Sequence, residues 1–313
     1  MPTLERITVY PVKSLDGIDV SEARVLPSGS LEHDRRWQLV DMDGRVLNAK
    51  RSPLLHAIRA EFDLEWGTVP GARPGANAIH LAIDPAAVAA RAIPGIERLA
   101  SLGAASFPLV PGPEGPCGWF AEVFGQAVLL VERAEGGFPD DREAAGPTLV
   151  STATLVEVAG WFRLDLAECR RRFRANLEIG GCGAFWEDSL ASPARPELAP
   201  SLLDLAPDEP ADPYAEVPPP EPRAFSIGDV RFRATNVCRR CVVPSRDSRT
   251  GGVTGQFRDV FEAWRGRTLP ASVDASTWSH LYRVGVNTCP LLSPPLGIAL
   301  LRTESCIRVR QGD

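Results

Sequence analysis

The chain has 313 residues, 44% of them hydrophobic and 24% charged, with a formal net charge of −6. That content supports one large or two medium folded domains and excludes a disordered chain. The acidic balance argues against a general nucleic-acid binder, which carries a basic face, but leaves room for a local basic pocket. No stretch approaches the ~18 uninterrupted apolar residues of a membrane span, and Met1–Arg6 lacks a signal-peptide pattern. Seven cysteines at irregular spacings do not read as a secreted disulfide framework, so a reducing, cytoplasmic setting is expected.

The first sixty residues read as a β-meander. Arg6–Val12 is strand-like, and residues 38–41 and 45–48 flank Met42-Asp43-Gly44, whose Asp-Gly is a hairpin signal. Residues 67–116 are rich in Gly, Ala and Pro, with a strand expected at 78–83. A short helix at 119–124 and a buried strand at 127–131 follow. Composition and pattern divide the chain into residues 1–132 and 138–313. In the second part Ser151 precedes an apolar-periodic helix running to Phe162, and Asp165 with Glu168 has the spacing of a capped helix ending near Phe173. A strand is expected over Arg174–Ile179.

Residues 193–222 hold ten of the 29 prolines, seven acidic residues and one basic residue, Arg195. Such a stretch buries too little apolar surface to offset its ordering entropy and reads as an exposed insertion. Beyond it come a strand at 230–234, a helix around 260–264 and closing strands at 298–301 and 307–309. Extended segments outnumber helices, so the expected fold is mainly β with α (α+β), barrel-like rather than doubly wound.

Chemistry concentrates in three places. Lys13 and Ser14 follow Pro11 at a strand end, where an ammonium and a hydroxyl suit a phosphate oxygen. His33-Asp34-Arg35-Arg36-Trp37 precedes another strand, and an arginine there can grip phosphate with two parallel donors. Asp34 and Arg36 equally read as an exposed ion pair at a sheet edge. The third place joins Arg172–Leu177 to Cys238-Arg239-Arg240-Cys241. Asn176 suits either a heterocycle edge or its own turn backbone. The cysteine pair supports a zinc half-site, a redox dithiol, or one metal thiolate with a structural neighbour. Zinc lacks a second ligand pair, since His33, His56, His80 and His280 stand alone. Pro244 spoils the helix that a redox dithiol needs.

Taken in order, Val9–Ser14, Asp34–Trp37, Phe173–Leu177, Ile227–Val230 and Cys238–Cys241 resemble the MOSC family. That is the molybdenum-cofactor sulfurase C-terminal domain with its N-terminal β-barrel partner, and the resemblance is to the amidoxime-reducing branch. It implies an N-terminal MOSC β-barrel-like domain followed by a MOSC β-barrel domain with peripheral helices. Lys13, Ser14 and Arg35 would contact the phosphate of molybdopterin, and Arg174 and Asn176 would hold the pterin. Cys241 would ligate molybdenum and be the catalytic residue. Arg239 and Arg240 would lie beside the cofactor, and Cys238 would support from behind.

The implied reaction reduces a small N-hydroxylated or N-oxide substrate, with electrons from a separate donor protein and no nucleic-acid or membrane partner. The alternative is a carrier or sulfur-transfer protein for the cofactor. Pyridoxal phosphate binding is a further family-level expectation. Thr250-Gly251 and Gln311–Asp313 fit the family pattern. The chain departs from it at Pro244 and Ser245, where threonines are usual, and only Glu143 aligns near a usual aspartate.

Overall fold

A computed structural model describes residues 1–67, 77–141, 144–191, 224–270, 273, 275, 278–291 and 299–309. The expected insertion at 193–222, Glu143 and Gln311–Asp313 lie outside the described residues. Among the described residues the fold is mixed and mostly strands, with five α-helices: α1 (Pro85–Ala90), α2 (Cys117–Phe124), α3 (Thr152–Phe162), α4 (Leu166–Phe173) and α5 (Phe257–Arg267). No helix among them is long and apolar enough to cross a membrane.

The framework is an eight-stranded sheet. From edge to edge its strands are Ile307–Val309, Ala224–Ile227, Val230–Arg239, Arg283–Pro290, Leu149–Ser151, Leu177–Gly180, Thr3–Val9 and Ile18–Val20. All pairings are antiparallel except Leu149–Ser151 with Leu177–Gly180. The sheet crosses the linker: the first strand of the chain pairs with residues 177–180, so Leu4 faces Ile179 and Ile7 faces Leu177. Smaller antiparallel sheets join Trp37–Val40 with Val46–Leu47 and Leu129–Glu132, and Ile58–Asp63 with Ala78–Ile83 and Ala105–Pro108. Glu22–Val25 pairs with Ala299–Arg302. The described strands close no complete barrel.

Three apolar cores follow from this layering. One fills the amino-terminal sheets around Trp37, Ile58, Phe62, Ile79 and Phe120. A second lines one face of the large sheet with Leu4, Ile7, Leu177, Phe225, Phe232 and Val286. The third seats α3, α4 and α5 through Leu155, Phe173, Phe257, Phe261 and Tyr282. The two predicted caps hold: Ser151 Oγ accepts from Thr154 N–H at 3.1 Å, and Asp165 Oδ1 accepts from Glu168 N–H at 2.6 Å.

Two boundaries differ from expectation, and both bear on the site. Arg174 is not in a strand; it is the left-handed residue that ends α4, φ 53°, and its strand begins only at Leu177. The strand from Val230 runs on to Arg239, kept in register by Arg283–Pro290. Cys238 is therefore a strand residue, and only Arg240 and Cys241 begin the loop.

Candidate cofactor site

The amino-terminal motif and the α4 motif meet at one buried polar knot. The segment from Tyr10 runs beside Arg35–Trp37 through Arg35 N–H to Tyr10 O at 2.7 Å, Trp37 N–H to Pro11 O at 3.1 Å and Lys13 N–H to Trp37 O at 2.8 Å. Asp34 sits behind it, nearly buried, accepting from Tyr10 N–H at 2.9 Å, Asn176 Nδ2 at 3.0 Å and Arg35 Nη1 at 2.7 Å. Arg35 Nη1 also donates to Asn176 Oδ1 at 3.1 Å. The exposed Asp34–Arg36 pair is thus not formed: Asp34 pairs with Arg35, and Arg36 pairs with Glu132 across the neighbouring strand.

Asn176 has no hydrogen-bonding capacity to spare. Its Nδ2 donates to Thr8 O at 3.0 Å and to Asp34. Its Oδ1 accepts from Arg35 and from both Thr148 N–H and Thr148 Oγ1 at 3.2 and 3.1 Å. Its side chain therefore holds the knot together rather than presenting a free edge.

Tyr10 carries two cations. The guanidinium of Arg174 lies 4.1 Å from the ring centroid and that of Arg35 lies 4.8 Å away. Burial pushes the Tyr10 phenol up, with the two arginines opposing, so it stays protonated. Ser14, Arg35 and Arg174 all adopt left-handed backbone, φ 74°, 48° and 53°. Such residues are uncommon outside glycine, and each costs on the order of 1 kcal/mol or more, so they persist only where the surroundings hold them. Three of the predicted site residues share this trait.

Lys13 Nζ contacts Phe138 O at 3.1 Å and the Asp140 carboxylate at 2.9 Å. The Lys13 and Arg35 cations hold Asp140 down at about 2 against the raising effect of desolvation. Ser14 Oγ accepts from Ala49 N–H at 3.2 Å. A loop bound to the knot brings Asp140 here: Phe138 N–H donates to Arg35 O at 2.8 Å. A methyl group on Gly137, φ 60°, would lie 2.7 Å from Arg35 O.

The two cysteines differ sharply. Cys238 is 5% exposed and its Sγ–H donates to Asn287 Oδ1 at 2.7 Å. Asn287 Nδ2 in turn donates to Asp141 Oδ2 at 3.0 Å. Burial pushes the Cys238 thiol up to about 11, so it remains a thiol. Cys241 is half-buried, and its thiol makes no hydrogen bond among the described residues.

Arg240 joins the cysteine loop to the rest. Its guanidinium donates to Val284 O at 2.7 and 2.9 Å and to Phe173 O at 3.0 Å, the carbonyl just before Arg174. Arg239 is exposed at the strand end. The structure thus connects the Cys241 loop through Phe173 and Arg174 to Tyr10, Arg35 and Asn176. A cleft of about 250 Å³ opens beside Tyr10, Arg174 and Asn176, bounded by Arg170, Arg171 and Ser248; Lys13, Arg35 and Cys241 do not line it.

Two residues absent from the motif set, His56 and Arg246, feel this group of cations. His56 is buried, and desolvation together with Arg246, Arg174, Arg59 and Arg172 pushes its imidazole down to about 4. Nε2 of His56 and Nε and Nη1 of Arg246 are buried without a hydrogen-bond partner among the described residues. Sequence gave no signal for either, because an isolated histidine and an isolated arginine carry no spacing.

Comparison with known proteins agrees with the motifs. Residues 1–101 match the family model described as the MOSC N-terminal beta barrel domain. The chain is also similar to molybdenum cofactor sulfurase of Drosophila yakuba, 24% identical over 80% of this chain and 28% of that protein. A likeness to human mitochondrial amidoxime-reducing component 1 is 25% identical over 80% of this chain and 67% of that protein. Human mitochondrial amidoxime reducing component 2 is 32% identical over 25% of this chain and 27% of that protein. The chain thus spans less than a third of the fly sulfurase.

Proposed function

We propose that this MOSC protein binds molybdenum cofactor and reduces N-hydroxylated or N-oxide substrates, with Cys241 as the protein's ligand to molybdenum. The observation carrying the reading is the continuous linkage from the Cys241 loop, through Arg240 and Phe173 O, to the Arg174–Tyr10–Arg35 stack. The residues present fit an anionic, sulfur-bound group. Among the described residues, buried guanidinium and imidazole atoms lack partners, and one half-buried thiol makes no hydrogen bond while its neighbour is bonded and held protonated.

When bound, the cofactor supplies two-electron oxygen-atom transfer. The chain's own residues bind and orient it. Arg35 and Lys13 supply positive charge at the phosphate end, and Arg174 does so at the pterin. Asp34 and Asn176 fix Arg35 in place; Arg240 fixes the cysteine loop by holding backbone carbonyls. Arg239 and Ser14 offer a charge and a hydroxyl at the margins, and Cys238 anchors the strand behind Cys241. Overall the N–O bond of the substrate breaks, two electrons and two protons are consumed, and water leaves. The electrons come from a separate donor protein.

The test is to purify the protein from a host that makes the cofactor, then measure bound molybdenum and benzamidoxime reduction with a supplied reductant. Stoichiometric molybdenum that vanishes in Cys241→Ala, with turnover of benzamidoxime, supports the proposal. Metal-free protein from that host overturns it; tight metal without turnover points instead to a cofactor carrier.

A further inference from the structure

We propose that Asp140 and Asp141 form a two-ended latch, a device that rests on the reading of Lys13 as a phosphate contact. Asp140 holds the Lys13 ammonium in the place of a phosphate oxygen, and Asp141 ties the same loop to the Cys238 strand. Lys13 Nζ spends two of its three donors on this loop, on Phe138 O at 3.1 Å and on the Asp140 carboxylate at 2.9 Å. Ser14 and Arg35, the other two residues read at the phosphate end, are engaged elsewhere. Ser14 Oγ accepts from Ala49 N–H, and Arg35 donates to Asp34 and Asn176. A carboxylate is thus the group that an incoming phosphate displaces at Lys13.

The loop lets Asp140 go while staying attached. Ahead of Asp140 its backbone is fixed at two points: Arg133 N–H donates to Arg36 O and Phe138 N–H to Arg35 O, both at 2.8 Å. The Asp140 side chain is 62% exposed, against 18% for Lys13. The carboxylate can therefore turn into water while the ammonium stays in place. Solvent keeps such a pair weak, and a phosphate dianion attracts an ammonium more strongly than one carboxylate does.

The next residue carries the event toward the thiols. Asp141 Oδ2 accepts from Asn287 Nδ2 at 3.0 Å and from Asn236 Nδ2 at 3.4 Å. Asn287 Oδ1 in turn accepts from Cys238 Sγ–H at 2.7 Å. Asp140 and Asp141 are consecutive, so release of the first shifts the second. A phosphate group at Lys13 thereby loosens Asp141 from Asn287, and the strand leading to Cys241 registers it.

Inorganic phosphate is the probe, titrated at constant ionic strength into the full chain from a host unable to make the cofactor. The Asn287 side-chain amide is followed by NMR and assigned with Asn287→Ser. Phosphate should move its signals in the wild type. Asp140→Ala should bind phosphate about fivefold more tightly, because the competing carboxylate is gone. Its Asn287 signals should already lie near the phosphate-bound position before any phosphate is added. Asp140→Glu should stay close to wild type and Lys13→Gln should abolish binding. Asp43→Ala, the same charge change at an exposed site, should leave the affinity unchanged.

Molybdenum-loaded protein separates the two sources of phosphate. Asn287 signals already shifted and deaf to added phosphate assign the latch to the cofactor, whereas a retained response assigns it to free phosphate. Asp140→Ala binding no tighter than wild type, or tightening matched by Asp43→Ala, overturns the proposal. So do Asn287 signals unmoved at saturation, or no binding up to about 50 mM phosphate in any variant. Metal-free protein from a competent host would sink the reductase function yet leave these phosphate responses standing, and a failed latch would leave bound molybdenum intact. Thermal unfolding of each variant separates lost binding from lost folding.

Discussion

Two groups of cations lie side by side in this molecule and have opposite character. At the knot of Asp34, Arg35 and Asn176 the donors and acceptors are matched. At His56 and Arg246, buried side-chain nitrogens have no hydrogen-bond partner among the described residues. The same contrast recurs between the sulfurs: Cys238 is bonded to Asn287, and Cys241 makes no hydrogen bond among the described residues. A satisfied polar network fixes geometry, and an unsatisfied one binds; placing them in contact lets a rigid frame aim a reactive set.

The sharpest way to break this contrast is at the sulfurs. Cys241→Ala should reduce molybdenum in protein from a competent host to background by metal analysis, while Cys238→Ala should retain most of it. Equal loss in both would erase the distinction. Next in size, Asn176→Ala leaves Arg35, Asp34 and Thr148 short of partners, and about 3 kcal/mol of stability should disappear in urea unfolding. A loss well below 1 kcal/mol would mean the knot is not a frame.

The unsatisfied side has its own signature in pH. The unfolded His56 imidazole takes up a proton near 6.5, but the native one only near 4. The unfolded state therefore binds more protons in that window, and stability falls as pH drops from about 6.5 to about 4. Over that interval this amounts to about 3 kcal/mol. Glu187, pushed up to about 7 by burial and by Asp188, works in the opposite direction, losing stability as pH rises from its unfolded value toward 7. Comparing wild type with His56→Gln removes that shared contribution. Matching pH dependences in the two proteins would refute the neutral buried imidazole.

Gly137→Ala forces a methyl group against the Asp34 and Arg35 carbonyls in a left-handed conformation. About 2 kcal/mol of destabilisation is expected by chemical denaturation, with loosening of the Phe138 and Asp140 contacts to Lys13. Smallest of all, Cys238→Ser keeps a donor for Asn287 and should cost about 1 kcal/mol with metal content unchanged.

Much of the local structure was legible because it depends on near neighbours. Ser151 and Asp165 cap α3 and α4 as their spacing required, and the Asp43-Gly44 hairpin formed between residues 40 and 46. The position of Arg174 is not legible in the sequence, because its helix ends through a left-handed residue other than glycine, which carries no sequence mark. The strand through Cys238 extends beyond its local pattern because its continuation is imposed by pairing with residues 283–290, some fifty positions away.

The sequence by itself determined which side chains hold the chemistry: five short motifs, read in order, name the cations and the thiols. Tertiary structure alone decided which of them are free. Whether Asn176 is saturated, Lys13 meets Asp140, or Cys238 meets Asn287 depends on partners contributed by distant strands and turns. Hydrogen bonds and charge fields act over a few ångströms of space, and chain order does not encode that distance.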